Sequence, residues 1–145
     1  MRKLMFTSCA ALLLAVSAAP LSAQTLLLRA NVPFEFYLNG KAMPAGEYQI
    51  DTKLGHGIAR VWNLDSNRAM LTLAQKDSFP YRASREEAVV VFHRYGDRYF
   101  LSHARDGFGG IQYRMATSSA EAEFRERAAV REPDETVLIA ARLVR

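Results

Sequence analysis

The chain has 145 residues, half of them hydrophobic, with 19 basic against 15 acidic side chains and a formal net charge of +4. That length fits one domain and is short for two, and so small a positive surplus, with no basic stripe, speaks against a nucleic-acid partner. A single cysteine, Cys9, excludes an internal disulfide.

In chain order, Arg2 and Lys3 precede an uncharged apolar run from Leu4 to Ala19, which Pro20 breaks before Leu21-Ser22-Ala23. A basic start, an apolar middle and a small residue before the cut predict a signal peptide over 1–23, cleaved after Ala23. The run has 16 residues, fewer than the roughly 18 to 20 that a membrane-crossing helix needs. Only Leu4 to Phe6 precede Cys9, too little apolar chain for a lipoprotein signal ending there. The expectation is therefore an exported protein, periplasmic or extracellular, with no stable membrane insertion once the leader is gone. Its mature part, 24–145, is one disulfide-free β-rich domain with 17 basic and 15 acidic residues.

After residue 24 the apolar pattern changes to short alternating segments between turn residues, the mark of antiparallel sheet. Strands are expected over Thr25 to Asn31 and Phe34 to Leu38, with Phe34, Phe36 and Leu38 on one face and Pro33 at a bend. Asn39-Gly40 is a turn pair that tolerates positive φ, and Met43-Pro44-Ala45-Gly46 is a second turn. Glu47 to Thr52 alternates, with Tyr48, Ile50 and Thr52 against a wet face. Further strands follow at Ile58 to Asn63 and Ala69 to Gln75, and then a polar loop over 77–87.

Ala88 to Tyr95 and Arg98 to Arg105 form the best hairpin, and Gly96-Asp97 suits a two-residue type II′ turn. Ile111 to Met115 is a short strand. A helix is expected from Ser119 to Arg131, opened by Ser118 and Glu121 at capping-box spacing and ended by Pro133. Thr136 to Val144, apolar on both faces, reads as a central strand. The fold class is all-β: a single antiparallel barrel or two-sheet sandwich of about eight strands, with one helix before the final strand.

Val32-Pro33-Phe34-Glu35-Phe36, Pro44-Ala45-Gly46-Glu47-Tyr48 and Phe92-His93-Arg94-Tyr95-Gly96-Asp97-Arg98-Tyr99-Phe100-Leu101 together carry a resemblance. Through them the chain resembles a family of small exported bacterial proteins that share a leader, these segments and a late Ser/Glu/Arg-rich helix. The resemblance implies an all-β domain with a late helix. It brings no catalytic residue with it.

Chemistry needs side chains that converge. A two-residue turn at Gly96-Asp97 makes opposed residues differ in parity, so the odd-numbered His93 and His103 are expected on opposite faces. That expectation disfavours a histidine metal site, and no metal or cofactor is expected. Asp97 and Asp106 are the carboxylates that could join His93 or His103 in acid/base work, but both stand in turn contexts that favour aspartate for its own backbone bonds. His56, between two glycines, reads as an exposed turn residue. Nucleophile-elbow, zinc-protease and phosphate-loop motifs do not occur in the sequence.

The aromatic residues Tyr37, Tyr48, Trp62, Tyr95, Tyr99, Phe108 and Tyr113 read first as core. Phe79 and Tyr81, flanking Pro80 in a polar loop, are the preferred ligand-binding pair. The functional expectation is an exported, non-enzymatic binding or interaction module for an unknown small ligand or protein partner. Two alternatives stand beside it: a small hydrolase using a His/Asp pair on the 88–106 hairpin, and a small outer-membrane barrel.

Overall fold

The computed structural model describes residues 26–77, 87–107, 111–127 and 133–144. The expected leader, Phe79, Tyr81, Phe108 and the expected helix beyond Arg127 lie outside the described residues.

The strands in chain order are β1 (Leu27–Val32), β2 (Phe36–Leu38), β3 (Lys41–Met43), β4 (Gly46–Asp51), β5 (Ile58–Asn63), β6 (Arg68–Asp77), β7 (Val89–Tyr95), β8 (Arg98–Arg105) and β9 (Gln112–Met115). Helix α1 (Ser119–Arg127) follows, then β10 (Glu135–Leu143). Eight of these strands close a barrel in the order β8-β7-β10-β1-β4-β5-β6-β9, and β9 pairs back onto β8. All of those pairings are antiparallel. The barrel, rather than the sandwich, is the architecture.

The seam between β8 and β6 has two fillings. β9 bridges one end, with Arg114 opposite both Gln75 and His103. At the other end the β2–β3 hairpin joins β8 in parallel at Tyr37 and Phe100. Its turn reaches across to β6: Asn39 donates its amide to the Leu71 carbonyl at 2.8 Å, and the Thr72 hydroxyl donates to Asn39 Oδ1 at 3.2 Å. Asn39 and Gly40 both take positive φ, 50° and 74°, as the tight turn between Leu38 and Lys41 requires.

Alternation places one side chain in two inside. Leu28, Ala30 and Val32 of β1, Tyr48 and Ile50 of β4, Ala59 and Val61 of β5, Val90 and Phe92 of β7 and Leu101 and Ala104 of β8 are all buried in one cluster. An eight-stranded barrel is narrow enough for side chains to fill. Phe36 and Phe92, 5.1 Å apart and edge to face, and Tyr48 supply the largest of them. The outer face carries ion pairs instead, among them Arg60–Asp51, Arg29–Glu47 and Arg94–Glu135.

The final strand is central as its composition predicts, between β1 and β7. Helix α1 begins as expected, with the Glu121 amide donating to the Ser118 hydroxyl at 3.1 Å. It lies on the outer face of the β7–β8 hairpin, where Phe124 meets Tyr95 and Phe100 at ring distances of 6.4 and 6.2 Å. Arg98 lies over the Phe124 and Tyr37 rings, and Arg125 over Tyr95. Tyr95 is thus buried on the outside of the barrel.

The hairpin turn is as expected, with Tyr95 opposite Arg98 and positive φ (62°) at Gly96 and not at Asp97. The register then breaks. Phe92 faces Leu101 but Val91 faces His103, so Ser102 is the extra residue of a β-bulge. The expectation that His93 and His103 lie on opposite faces is therefore corrected. One inserted residue reverses the parity of everything beyond it, and the two rings stand 6.0 Å apart on the same outer face.

Candidate functional site

The outer face from β5 through β6 and β9 to the β7–β8 hairpin holds the chemistry. On β6 the small residues Thr72 and Ala74 point inward, so Leu71, Leu73, Gln75 and Asp77 point outward. Leu71 is 57% exposed and Leu73 61%, unusual for large apolar side chains in adjacent outward positions of one strand. Register sets Ile58 opposite Leu73 and Trp62 opposite Ala69, which widens the apolar strip across β5. Arg60, opposite Leu71, lies over the Trp62 ring at 5.6 Å while paired to Asp51 at 3.3 Å.

Beside Leu73 the strip opens into a cleft of about 260 Å³ lined by Leu73, Gln75, Arg114, Met115, Ala116 and Thr117. The Ala116 amide donates to the Leu73 carbonyl at 2.9 Å, which fixes the chain after β9 along the cleft wall. The cleft therefore has a leucine end and a polar end. At the polar end the Arg114 guanidinium, 57% exposed, stands 3.7 Å from the Asp77 carboxylate.

Beyond Arg114 runs a chain of polar contacts. Asp77 Oδ2 is 3.8 Å from His103 Nε2, His103 Nδ1 is 2.7 Å from the Ser102 hydroxyl, and that hydroxyl is 3.0 Å from His93 Nε2. The bulge is the reason these groups meet, because it turns the consecutive Ser102 and His103 toward the same side of the strand. A hydroxyl has one hydrogen to give. The Asp77 carboxylate favours the hydrogen of His103 on Nε2, so Ser102 donates to His103 Nδ1 and accepts from His93 Nε2–H.

Both histidines are held neutral. Burial lowers His103 to about 4, helped by His93 and Arg114 and opposed by Asp77. Burial also lowers His93, with Arg125 adding to the effect. Glu121 of the overlying helix is buried and raised, with Arg125 opposing the rise.

The other residues singled out from the sequence lie elsewhere. Asp97 is exposed in the hairpin turn. Asp106 is buried and accepts the Ile111 amide at 3.2 Å, holding the base of the β8–β9 connection. The carboxylate that approaches a histidine is instead Asp77, at the end of β6. His56 is exposed at positive φ (55°). Tyr48 is fully buried, and Tyr37, Trp62, Tyr99 and Tyr113 are half-buried. Among the described residues no three His, Cys, Asp or Glu side chains converge as a metal-binding set.

Sequence reading missed Leu71, Leu73, Ser102 and Arg114. A signal for the leucines was present: they share the phase of Gln75 and Asp77, while the smaller Thr72 and Ala74 take the other. Compared with protein-family models, with curated proteins and with solved structures, the chain found no match.

Proposed function

We propose that this protein is an exported binding module that holds a small amphiphilic molecule on the outer face of its barrel. Leu71 and Leu73 take the apolar part, and Gln75 and Arg114 take an oxygen-bearing head. The observation that carries this reading is the cleft of about 260 Å³ with exposed leucine at one end and exposed arginine at the other. Ligand sites are mostly apolar with a few placed polar groups, and this cleft has that composition. Export is supported by the basic-apolar-small pattern of residues 1–23.

The polarity of the barrel favours water around it over lipid. Membrane barrels are apolar outside and polar within, whereas this one packs Leu28, Ile50 and Phe92 inside and sets Arg29, Glu47, Arg60 and Arg94 outside.

A titration with dodecanoate or anilinonaphthalene sulfonate tests the proposal. Leu73→Glu is expected to weaken either probe by about tenfold or more, since the burial of one leucine is worth about 1.5 to 3 kcal/mol. Leu138→Glu, at an exposed leucine on β10, is expected to leave the affinity unchanged. Equal binding by wild type and Leu73→Glu would place the ligand elsewhere.

A further inference from the structure

We propose that Ser102 is the nucleophile of a site that cleaves small acyl esters, with His103 as its base, Asp77 as the anion behind His103, and His93 as the donor to the carbonyl oxygen. The proposal goes beyond ligand holding and stands on the polar chain alone, since a short acyl ester has no tail to seat among the leucines.

Three features support it. The serine hydroxyl is in place to give its hydrogen to an imidazole, at 2.7 Å from His103 Nδ1. The opposite nitrogen of the same ring faces a carboxylate at 3.8 Å. Serine, imidazole and carboxylate in that order form the relay of nucleophilic hydrolases, which geometry and roles define and sequence order does not. Here the two ring nitrogens exchange places relative to the commonest form of that relay. The third feature is a second neutral imidazole, His93, whose Nε2 lies 3.0 Å from the nucleophile. A hydrogen-bond donor there can turn to the oxygen that gains charge as the carbonyl is attacked.

The step balances with ester and water alone. Ser102 Oγ attacks the carbonyl carbon as its proton passes to His103 Nδ1. The Asp77 carboxylate, 3.8 Å from Nε2, steadies the imidazolium by its charge, and His93 Nε2–H donates to the oxyanion. The bond to the leaving alcohol breaks as His103 returns the proton to that alcohol, which leaves an acyl-serine. Water then attacks the acyl group with His103 again taking a proton, the bond to Ser102 Oγ breaks, and the serine recovers its hydrogen. The products are one acid and one alcohol.

Two properties follow from the surroundings. Ser102 is 8% exposed, so access suits acetyl better than long acyl groups. His103 titrates at about 4, so it is a weak base that suits esters with good leaving groups.

The test uses p-nitrophenyl acetate and a fluorophosphonate label on the purified protein. Ser102→Ala and His103→Gln are each expected to lose about 100-fold or more in kcat/KM, and Asp77→Asn and His93→Gln about tenfold. The wild-type rate is expected to rise with pH through about 4 and to be level by about 6. Peptide mapping of the labelled wild-type protein is expected to find the adduct on Ser102, a readout that needs no variant to fold. An adduct elsewhere, no adduct, or full turnover by Ser102→Ala would overturn the proposal. Acetate cleavage by a wild-type protein that does not bind dodecanoate would count against the amphiphile reading and not against this one.

Discussion

Gly107→Ala is expected to cost about 3 kcal/mol or more of folding stability, a large share of the roughly 5 to 15 kcal/mol that holds a domain folded. Gly107 sits just past β8 with φ at +82°. A Cβ there would lie 2.4 Å from the Glu87 carbonyl carbon, 2.6 Å from its oxygen and 2.7 Å from the Ala88 nitrogen. All three are backbone atoms of the residues leading into β7, so no side chain can swing away. The strain of a left-handed alanine adds to the overlap. Gly96 is the control, because its φ is also positive at +62° but no heavy atom lies within 4 Å of an added Cβ. Gly96→Ala is expected to cost only about 1 kcal/mol. Urea unfolding of both variants beside wild type checks the contrast, and equal costs would show that the base of the hairpin yields more than its packing suggests.

The second large effect is acid sensitivity. An unfolded histidine takes its proton near pH ~6.5, but burial lowers His103 to about 4 and lowers His93 as well. Between those values the unfolded chain binds more protons than the folded one, so stability falls as pH falls. Above about pH 6.5 the contribution is fully present, and below the folded value the loss is complete. For His103 the loss amounts to about 2 to 3 kcal/mol after allowance for partial solvent screening.

The neighbours of each imidazole set the detail of that loss. His103 faces His93, Asp77 and Arg114, and His93 faces Arg125. Glu121 works in the opposite direction, because a raised carboxyl favours the folded state as pH falls, so it offsets part of the loss at the acid end. His103→Gln is expected to remove most of the slope between about pH 6.5 and 4. Urea midpoints measured across that range decide it: a flat wild-type profile, or an unchanged slope in the variant, would contradict the placement of His103.

The fold was readable wherever local chemistry decides the backbone. Asn39-Gly40, Gly96-Asp97 and the Ser118–Glu121 cap each need one conformation, and each adopts it. β5 matches its alternation from Ile58 to Asn63, and the doubly apolar last strand lies between two others. β3 was missed because three residues between two turns carry too little period to register.

The site was less readable. Its assembly depends on one bulge residue, Ser102, and alternation alone gives no notice of an insertion that leaves the composition of the strand unchanged. Asp77 and Arg114 reach His103 only because β9 closes the seam between β6 and β8. That closure is a property of the whole barrel and not of any segment. The leucines of β6 are a different case. Their phase was visible, but which face is inner emerges only once the strand has neighbours.

Amide chemical-shift mapping during a dodecanoate titration tests the central claim most directly. An outer-face site predicts that the shifts concentrate at Leu71, Leu73, Gln75 and Arg114 to Thr117, with little change at Leu28, Ile50 or Phe92 in the interior. Shifts centred on those interior residues, or none at all, would contradict it.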